Sequence, residues 1–352
     1  MTNRDPNTKQ HVDWVDLTKG LTILLVVVMH SINGVEKYLG SEGWMHPILT
    51  YATPFRMPVF FAVAGLFAAR AIVKEWPVFL DKKFFHFGYF YFLWMTIEFI
   101  FKTPFFVQQF GAHETGLYYL LSFVQPFGPL WFIYLLPFYF LALRLMRPLP
   151  ILLQFAIAIA CKFTLTATGI ELIDFFSKYY VFFLAGHFGR DIWFALAHSA
   201  REQKLASVVG LAIWAVANGL VVWFGYDEIV PVAIVMGVLG FMAVIDFMGI
   251  LTEFAPGRGL AKVFRYLGRH SLPIYLGFFL PMGVTRILVL KFGNGDPGLS
   301  AMIVSMAAVI GAIFMYEVVM RLKIATFLYA RPQWAKLNKE SKQPEQITVA
   351  AE

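Results

Sequence analysis

Residues 15–34 read VDLTKGLTILLVVVMHSING, a run that is apolar through its centre. It has the roughly 20 residues that an α-helix needs to cross about 30 Å of hydrocarbon. The whole chain has this character, because 59% of its 352 residues are apolar and only 14% are charged. An average soluble domain has about 25% charged residues, and one soluble core cannot hide this much apolar surface. The composition excludes a soluble globular enzyme and predicts an all-α, polytopic integral membrane protein.

Positively charged residues are concentrated in every second connection between ten apolar segments. The segments are 15–34, 47–69, 84–101, 130–146, 149–168, 175–190, 206–224, 229–250, 271–290 and 299–320. With the N-terminus inside, the inner connections hold 22 Lys and Arg residues and the outer ones hold 4. Because such residues stay on the cytoplasmic side, we expect about ten transmembrane helices with both termini in the cytoplasm. This distribution explains the net charge of +7 without nucleic acid as a partner.

The sequence predicts three parts. These are a cytoplasmic N-terminal tail, a transmembrane domain and a polar cytoplasmic C-terminal tail, at 1–14, 15–328 and 329–352. The last part is rich in Lys, Gln and Glu, so we expect disorder after about Ala330. The single cysteine, Cys161, excludes an intrachain disulfide and a cysteine-based zinc site, and we expect no bound metal.

The first helix carries three polar side chains that are costly inside a membrane: Asp16, Lys19 and His30. Lys19 and His30 are 11 residues apart, which places them on nearly the same helix face and about 16 Å apart along it. Asp16 precedes Lys19 by three residues and can pair with it. Taken singly, Lys19 could be a snorkelling anchor and His30 a helix-end residue in the headgroup region.

Arg56 lies in the middle of the second span, between Pro54 and Pro58. An arginine keeps its proton, so it must face a polar cavity, a carboxylate, backbone carbonyls or a ligand. One alternative is that Arg56 is a structural counter-ion. The two prolines predict a broken helix that opens backbone groups into the same cavity.

Two further features lie toward the predicted outer side. The first is a set of ionisable residues that either line an outward pocket or snorkel: Glu98, Lys102, Lys162 and Arg286. The second is the aromatic-rich segment 104–131, which is either an interfacial aromatic belt or a platform for stacking on sugar rings.

Four motifs resemble those of acyltransferase family 3, the bacterial membrane O-acyltransferases of glycans. They are WVDLTKG at 14–20 followed by an apolar run to His30, FRMPVFFAVAG at 55–65, GPLWF at 128–132 and LGRHSLPIYL at 267–276. The resemblance covers about residues 14–320. Lys19 stands where many members have arginine, and Gly277 and Phe278 stand where the late motif often ends in histidine.

The resemblance implies an O-acyltransferase of the bacterial cytoplasmic (inner) membrane. Its donor is cytoplasmic acyl-CoA, a co-substrate and not a permanently bound cofactor, and the acyl group is acetyl or succinyl. Its acceptor is a hydroxyl of a cell-surface or periplasmic glycan or of a lipid-linked sugar. His30 is then a general base or an acyl-histidine nucleophile, and Arg56 stabilises the oxyanion. Asp16 orients Lys19.

Under this resemblance the CoA phosphates need fixed positive charge at the inner face. The four main candidates, which otherwise only set topology, are Arg70, Lys74, Lys82 and Lys83. Arg265 and Arg269 are two further candidates. The predicted acceptor-binding residues are Glu98, Trp131 and Tyr275.

Two other functions stay open. In a transporter or flippase for a sugar, a lipid or a small acid, Arg56 and His30 would bind the cargo. In a membrane sensor or scaffold, replacing His30 would change the handling of no small molecule.

Overall fold

The computed structural model describes residues 12–253, 257–293 and 295–337, and this part of the chain is helical and contains no strand. A π-helical turn, Leu80–Phe85, leads into the fifth helix, and a 3-10 turn, Gly128–Leu130, leads into the seventh. The α-helices are α1 Asp13–Leu39, α2 His46–Gly65, α3 Ala69–Ile72, α4 Trp76–Phe79, α5 His86–Phe110, α6 Ala112–Leu121, α7 Trp131–Leu145, α8 Ile151–Thr164, α9 Glu171–Phe188, α10 Arg190–Glu202, α11 Lys204–Trp223, α12 Val230–Glu253, α13 Gly257–Arg269, α14 Ser271–Gly277, α15 Phe279–Phe292 and α16 Pro297–Leu322.

Each of the ten predicted spans coincides with helix in the structure. In the described residues, seven spans are long and apolar enough to cross a membrane: α1, α2, the run from α4 to α5, α7 with its 3-10 turn, α11, α12 and α16. The pair α14 and α15, bent by 52°, would make an eighth. α8 is apolar but has only 14 residues, and α9 carries three charged residues. The all-α polytopic class is confirmed, whereas ten crossings and two cytoplasmic termini stay predictions.

α1 packs against α2, α12, α13, α14, α15 and α16, so most of the bundle is arranged around it. Its closest contact is with α13, where a Cβ on Gly268 would lie 1.7 Å from the carbonyl oxygen of Asp16. Only a glycine allows two backbones to approach so closely. Arg265 of α13 also forms a two-pronged ion pair with Asp13, in which Nη2 lies 2.8 Å from Oδ2. The N-terminal end of α1 is therefore fixed by α13.

α2 runs without a break from His46 to Gly65 although Pro54 and Pro58 lie inside it. The predicted break in this helix is therefore wrong. Close packing against α9 and α12 on its sides holds α2 helical through both prolines. Each proline still lacks an N–H, so carbonyls one turn earlier lose their helical donor. The break in the bundle lies instead between α14 and α15.

The chain after α16 folds back onto the π-helical turn. Tyr329 is fully buried. Arg331 donates from Nη2 to Oδ2 of Asp81 and from Nη1 to its backbone carbonyl, both at 2.8 Å. The backbone N–H of Leu337 donates to Oδ1 of the same carboxylate at 2.8 Å. This buried ion pair holds residues 331–337 against the π-helical turn. The rest of the tail for which the composition predicts disorder, 338–352, lies outside the described residues.

The predicted tails are described only in part. Residues 1–11 and 338–352 lie outside the described residues. Within the described chain, α1 begins at Asp13, two residues earlier than the predicted domain boundary. The division into two tails and one domain stays a prediction.

Candidate active site

The N-terminal end of α1 brings Asp16 and Lys19 together, as their spacing predicts. Both side chains are buried, with 5% and 8% of their surface exposed, and the carboxylate acts electrostatically on the ammonium. The Lys19 ammonium also lies 6.0 Å from the centre of the Phe67 ring. The sequence did not indicate that Arg269 of α13 reaches this pair, but its Nε lies 3.5 Å from Oδ2 of Asp16. This end of the helix thus carries a cluster of charges around the buried Asp16.

His30 lies three turns further along α1 and is partly exposed. Its ring packs on Phe278, at the bend between α14 and α15, with 5.5 Å between ring centres. Arg56 of α2 and Lys102 of α5 lie near enough for their positive charges to act on the imidazole. His30 therefore lies at the helix bend, where the charges of Arg56 and Lys102 act on it.

Arg56 is buried, with 7% of its surface exposed. In the described part of the chain its Nε and Nη1 have no hydrogen-bond partner, and no carboxylate pairs with it. A neighbour that acts electrostatically on the guanidinium is Tyr179 of α9. A buried cation with unpaired N–H groups is costly unless water or a ligand meets them. Within the described residues, Arg56 therefore has no carboxylate for which it could serve as the counter-ion. Its unpaired N–H groups instead favour a bound ligand.

Glu98 and Lys102 form an ion pair one turn apart on α5. The Glu98 side chain is fully buried, and its Oε2 accepts no hydrogen bond within the described residues. The Lys102 side chain is 40% exposed, and its ammonium lies 5.1 Å from the centre of the Phe127 ring. Gly128 follows with φ +53°, and a Cβ there would lie 2.9 Å from Oε1 of Glu98. The glycine of GPLWF thus lets the backbone pass directly over this pair.

Trp131 connects the GPLWF motif to Arg56 through a stack of rings. It is partly exposed and stacks on Phe175 and Tyr179 of α9, with 4.7 and 5.5 Å between ring centres. Tyr179 stacks in turn on Phe61 at 5.2 Å. Because Tyr179 is also the residue that acts on Arg56, the predicted acceptor residue Trp131 lies beside the site.

Tyr275, the third predicted acceptor-binding residue, bonds to the backbone of the GPLWF motif. It is buried, and its hydroxyl donates to the carbonyl of Pro129 at 2.6 Å. This bond joins the late motif to the GPLWF motif. Tyr275 therefore holds the loop that carries Gly128 and Trp131.

The four basic residues predicted for the CoA phosphates differ in exposure. Arg70 on α3 is exposed, whereas Lys74 and Lys82 are partly buried. Lys83 is buried, and its ammonium lies 4.6 Å from the centre of the Phe140 ring. Within this set, Arg70 has the exposure that suits a phosphate of a soluble donor.

Two residues near the site were indicated only weakly, or not at all, by the sequence. Lys102 follows Glu98 by four residues, the spacing of a helical ion pair, so its pairing could be read from the sequence. Tyr179 belongs to none of the four motifs, and nothing in the sequence places it beside Arg56.

Comparisons with known proteins agree with the motifs. A family model described as an acyltransferase domain matches residues 12–317. Over 87 residues the chain is 36% identical to the inner membrane protein YcfT of Escherichia coli (strain K12). That match spans 21% of this chain and about a quarter of the relative, 24%. No solved structure matches the chain. Because the family model covers most of its length and its helices suit a membrane, this protein belongs to acyltransferase family 3 and is a multi-pass membrane protein.

Proposed function

We propose that the protein is an O-acyltransferase of the bacterial cytoplasmic membrane. It moves a short acyl group, acetyl or succinyl, from acyl-CoA at the inner face to a hydroxyl of a cell-surface or periplasmic glycan or of a lipid-linked sugar. The observation that carries this proposal is the partly exposed His30 beside a buried Arg56 whose Nε and Nη1 have no partner in the described residues. That combination offers a base and a set of oxyanion donors at one place.

The proposed chemistry uses both groups. His30 takes the proton of the acceptor hydroxyl, and the oxygen attacks the thioester carbon. Arg56 donates to the oxyanion that forms there. The carbon–sulfur bond then breaks, the proton passes to sulfur, and an ester and free CoA result. In the other open route His30 itself attacks first, and the acyl-histidine passes the acyl group to the hydroxyl.

The donor would reach His30 from the inner face along α1. Lys19 and His30 are about 16 Å apart on this helix. This distance suits the long, thin arm of an acyl-CoA donor. A cavity of about 30 Å³ lies among Phe60, Phe132, Leu136 and Tyr275. Phe60 is one turn from Arg56 on α2. We propose that the acyl group of the donor lies in this cavity.

The test is CoA release by the purified full-length protein in lipid nanodiscs. Acetyl-CoA, propionyl-CoA and succinyl-CoA serve as donors, and a crude envelope glycan extract serves as acceptor. We expect His30→Ala to lower the rate about 100- to 10,000-fold and Arg56→Gln about 100- to 1,000-fold. Matched controls are His113→Ala and Arg147→Gln, since both residues are exposed and remote from the site. Release that is unaffected by His30→Ala would remove the assigned role of His30.

A transporter or flippase is the second candidate, and the bend between α14 and α15 favours it. Broken helices line cargo sites in many transporters, and here the bend carries Phe278, which contacts His30. The same nanodisc assay separates the two functions. Absence of CoA release with every donor, together with sugar or lipid movement across proteoliposomes, would favour the transporter and make Arg56 a cargo ligand.

A further inference from the structure

We infer that Glu98 and Lys102 form a subsite for neighbouring hydroxyl groups of a neutral sugar acceptor. This inference rests on the proposed function, because it assigns the acceptor side of that reaction. The charge of Lys102 also acts through space on the His30 imidazole.

Glu98 determines which ligand chemistry suits the subsite. Its side chain is fully buried, and its Oε2 has no donor among the described residues. A buried carboxylate oxygen without a donor is strongly unfavourable, so a ligand that supplies an O–H or N–H is stabilised there. A phosphate or carboxylate group would be repelled by Glu98. The subsite therefore selects a hydrogen-bond donor over an anion.

Lys102 adds the complementary requirement. An ammonium has three N–H donors and no acceptor, and in the described residues one of these donates to Oε1 of Glu98. Since the side chain is 40% exposed, the ammonium is within reach of a ligand oxygen. A hydroxyl can donate to Glu98 and accept from Lys102, and two adjacent hydroxyls can use both groups together. A sugar ring presents such pairs.

Access to the subsite is through Lys102, because its side chain is 40% exposed whereas Glu98 is fully buried. Gly128 packs against the pair and leaves no room for a side chain, since a Cβ there would lie 2.9 Å from Oε1 of Glu98 and 3.6 Å from Nζ of Lys102. Tyr275 holds this loop through its hydrogen bond to the carbonyl of Pro129. The glycine therefore keeps the backbone in close contact with both charged groups.

The first test is Glu98→Gln, which keeps the shape of the side chain and removes its charge. Initial rates of CoA release are measured with acetyl-CoA and succinyl-CoA against the envelope glycan extract and a panel of neutral methyl glycosides. Loss of a hydrogen bond to a charged group raises the acceptor KM about 10- to 100-fold, while the donor KM stays unchanged. The control is Glu317→Gln. Glu317 also forms an (i, i+4) ion pair, with Arg321, but that pair is exposed and distant in sequence from Glu98.

The second test is Gly128→Ala, which presses a methyl group against Oε1 of Glu98. Its control is Gly225→Ala, because Gly225 also has a positive φ, +69°, but has no atom within 4 Å of the added Cβ. Both variants carry similar backbone strain, and one of them places a methyl group over Glu98. We expect a raised acceptor KM in Gly128→Ala alone.

A purely structural pair would give a different result. Glu98→Gln would then lower the thermal stability and kcat while leaving the ratio of the two KM values unchanged, and this outcome would overturn the inference. So would equal acceptor KM values for Gly128→Ala and Gly225→Ala.

Sugar binding without turnover separates this inference from the proposed function. Thermal stabilisation of the wild-type protein by the glycosides or the glycan extract, absent in Glu98→Gln, would support the subsite even if no donor released CoA. No stabilisation of the wild type by any of them would overturn the subsite whatever the CoA assay gives.

Discussion

Replacing Arg331 by Gln should release the segment after α16 from the domain. The side chains of Arg331 and Asp81 are only 3% and 8% exposed, and they meet at 2.8 Å. The variant leaves the Asp81 carboxylate buried without this cation. Removing one partner of a buried ion pair costs about 3–5 kcal/mol. Opening of the segment should therefore become about 100-fold more frequent or more, since each 1.4 kcal/mol is about a factor of ten.

Hydrogen exchange at Leu337 measures this opening directly. Its backbone N–H donates to Oδ1 of Asp81, so it exchanges only when the segment leaves the carboxylate. The exchange rate of a protected amide follows the free energy of the local opening. We expect the Leu337 amide in Arg331→Gln to exchange about 100-fold faster than in the wild type. Peptides from α1 should keep their protection.

Arg321→Gln is the matched control, because Arg321 pairs with Glu317 in an exposed pair. An exposed pair contributes at most about 1 kcal/mol, so Leu337 should exchange at nearly the wild-type rate in this variant. Equal Leu337 exchange in Arg331→Gln and Arg321→Gln would refute the reasoning, since the buried pair would then not hold the segment.

Three further changes test the packing and the donor side. Gly268→Ala inserts a methyl group 1.7 Å from the Asp16 carbonyl, so it should destabilise the protein by about 1–3 kcal/mol or more in thermal unfolding, and an unchanged midpoint would contradict the close contact. Tyr275→Phe leaves the buried Pro129 carbonyl without its donor and should cost about 1–3 kcal/mol of stability, measured by the same unfolding. Arg70→Gln should raise the acetyl-CoA KM up to about fivefold, the effect of one exposed charge, and an unchanged KM would leave Arg70 with a role in topology alone.

The sequence was most informative where one helix carried the pattern. The apolar run of α1 and the spacing of Asp16 and Lys19 predicted a helix and a pair that the structure contains. Contacts between helices that are distant in sequence could not be predicted, because periodicity identifies the buried face of a helix but not the helix that packs against it. Arg269 reaches Asp16 only because α13 crosses α1 at Gly268.

The wrong prediction in α2 has a clear physical origin. Its prolines predicted a break, but packing by α9 and α12 outweighs the local preference. The buried pair of Arg331 and Asp81 joins residues that are 250 positions apart in the chain. No local pattern encodes either of these tertiary contacts.

The polar groups on and around α1 form two sets. At the N-terminal end of α1, Asp16 interacts with both Lys19 and Arg269. By contrast, Arg56 of α2 and Glu98 of α5 keep buried polar atoms without a partner in the described residues. Buried polar groups are normally satisfied, so the first set fixes the helix, while the second set leaves binding capacity for substrates. The partly exposed His30 lies three turns along α1 from Lys19, and there the proposed donor and acceptor would meet.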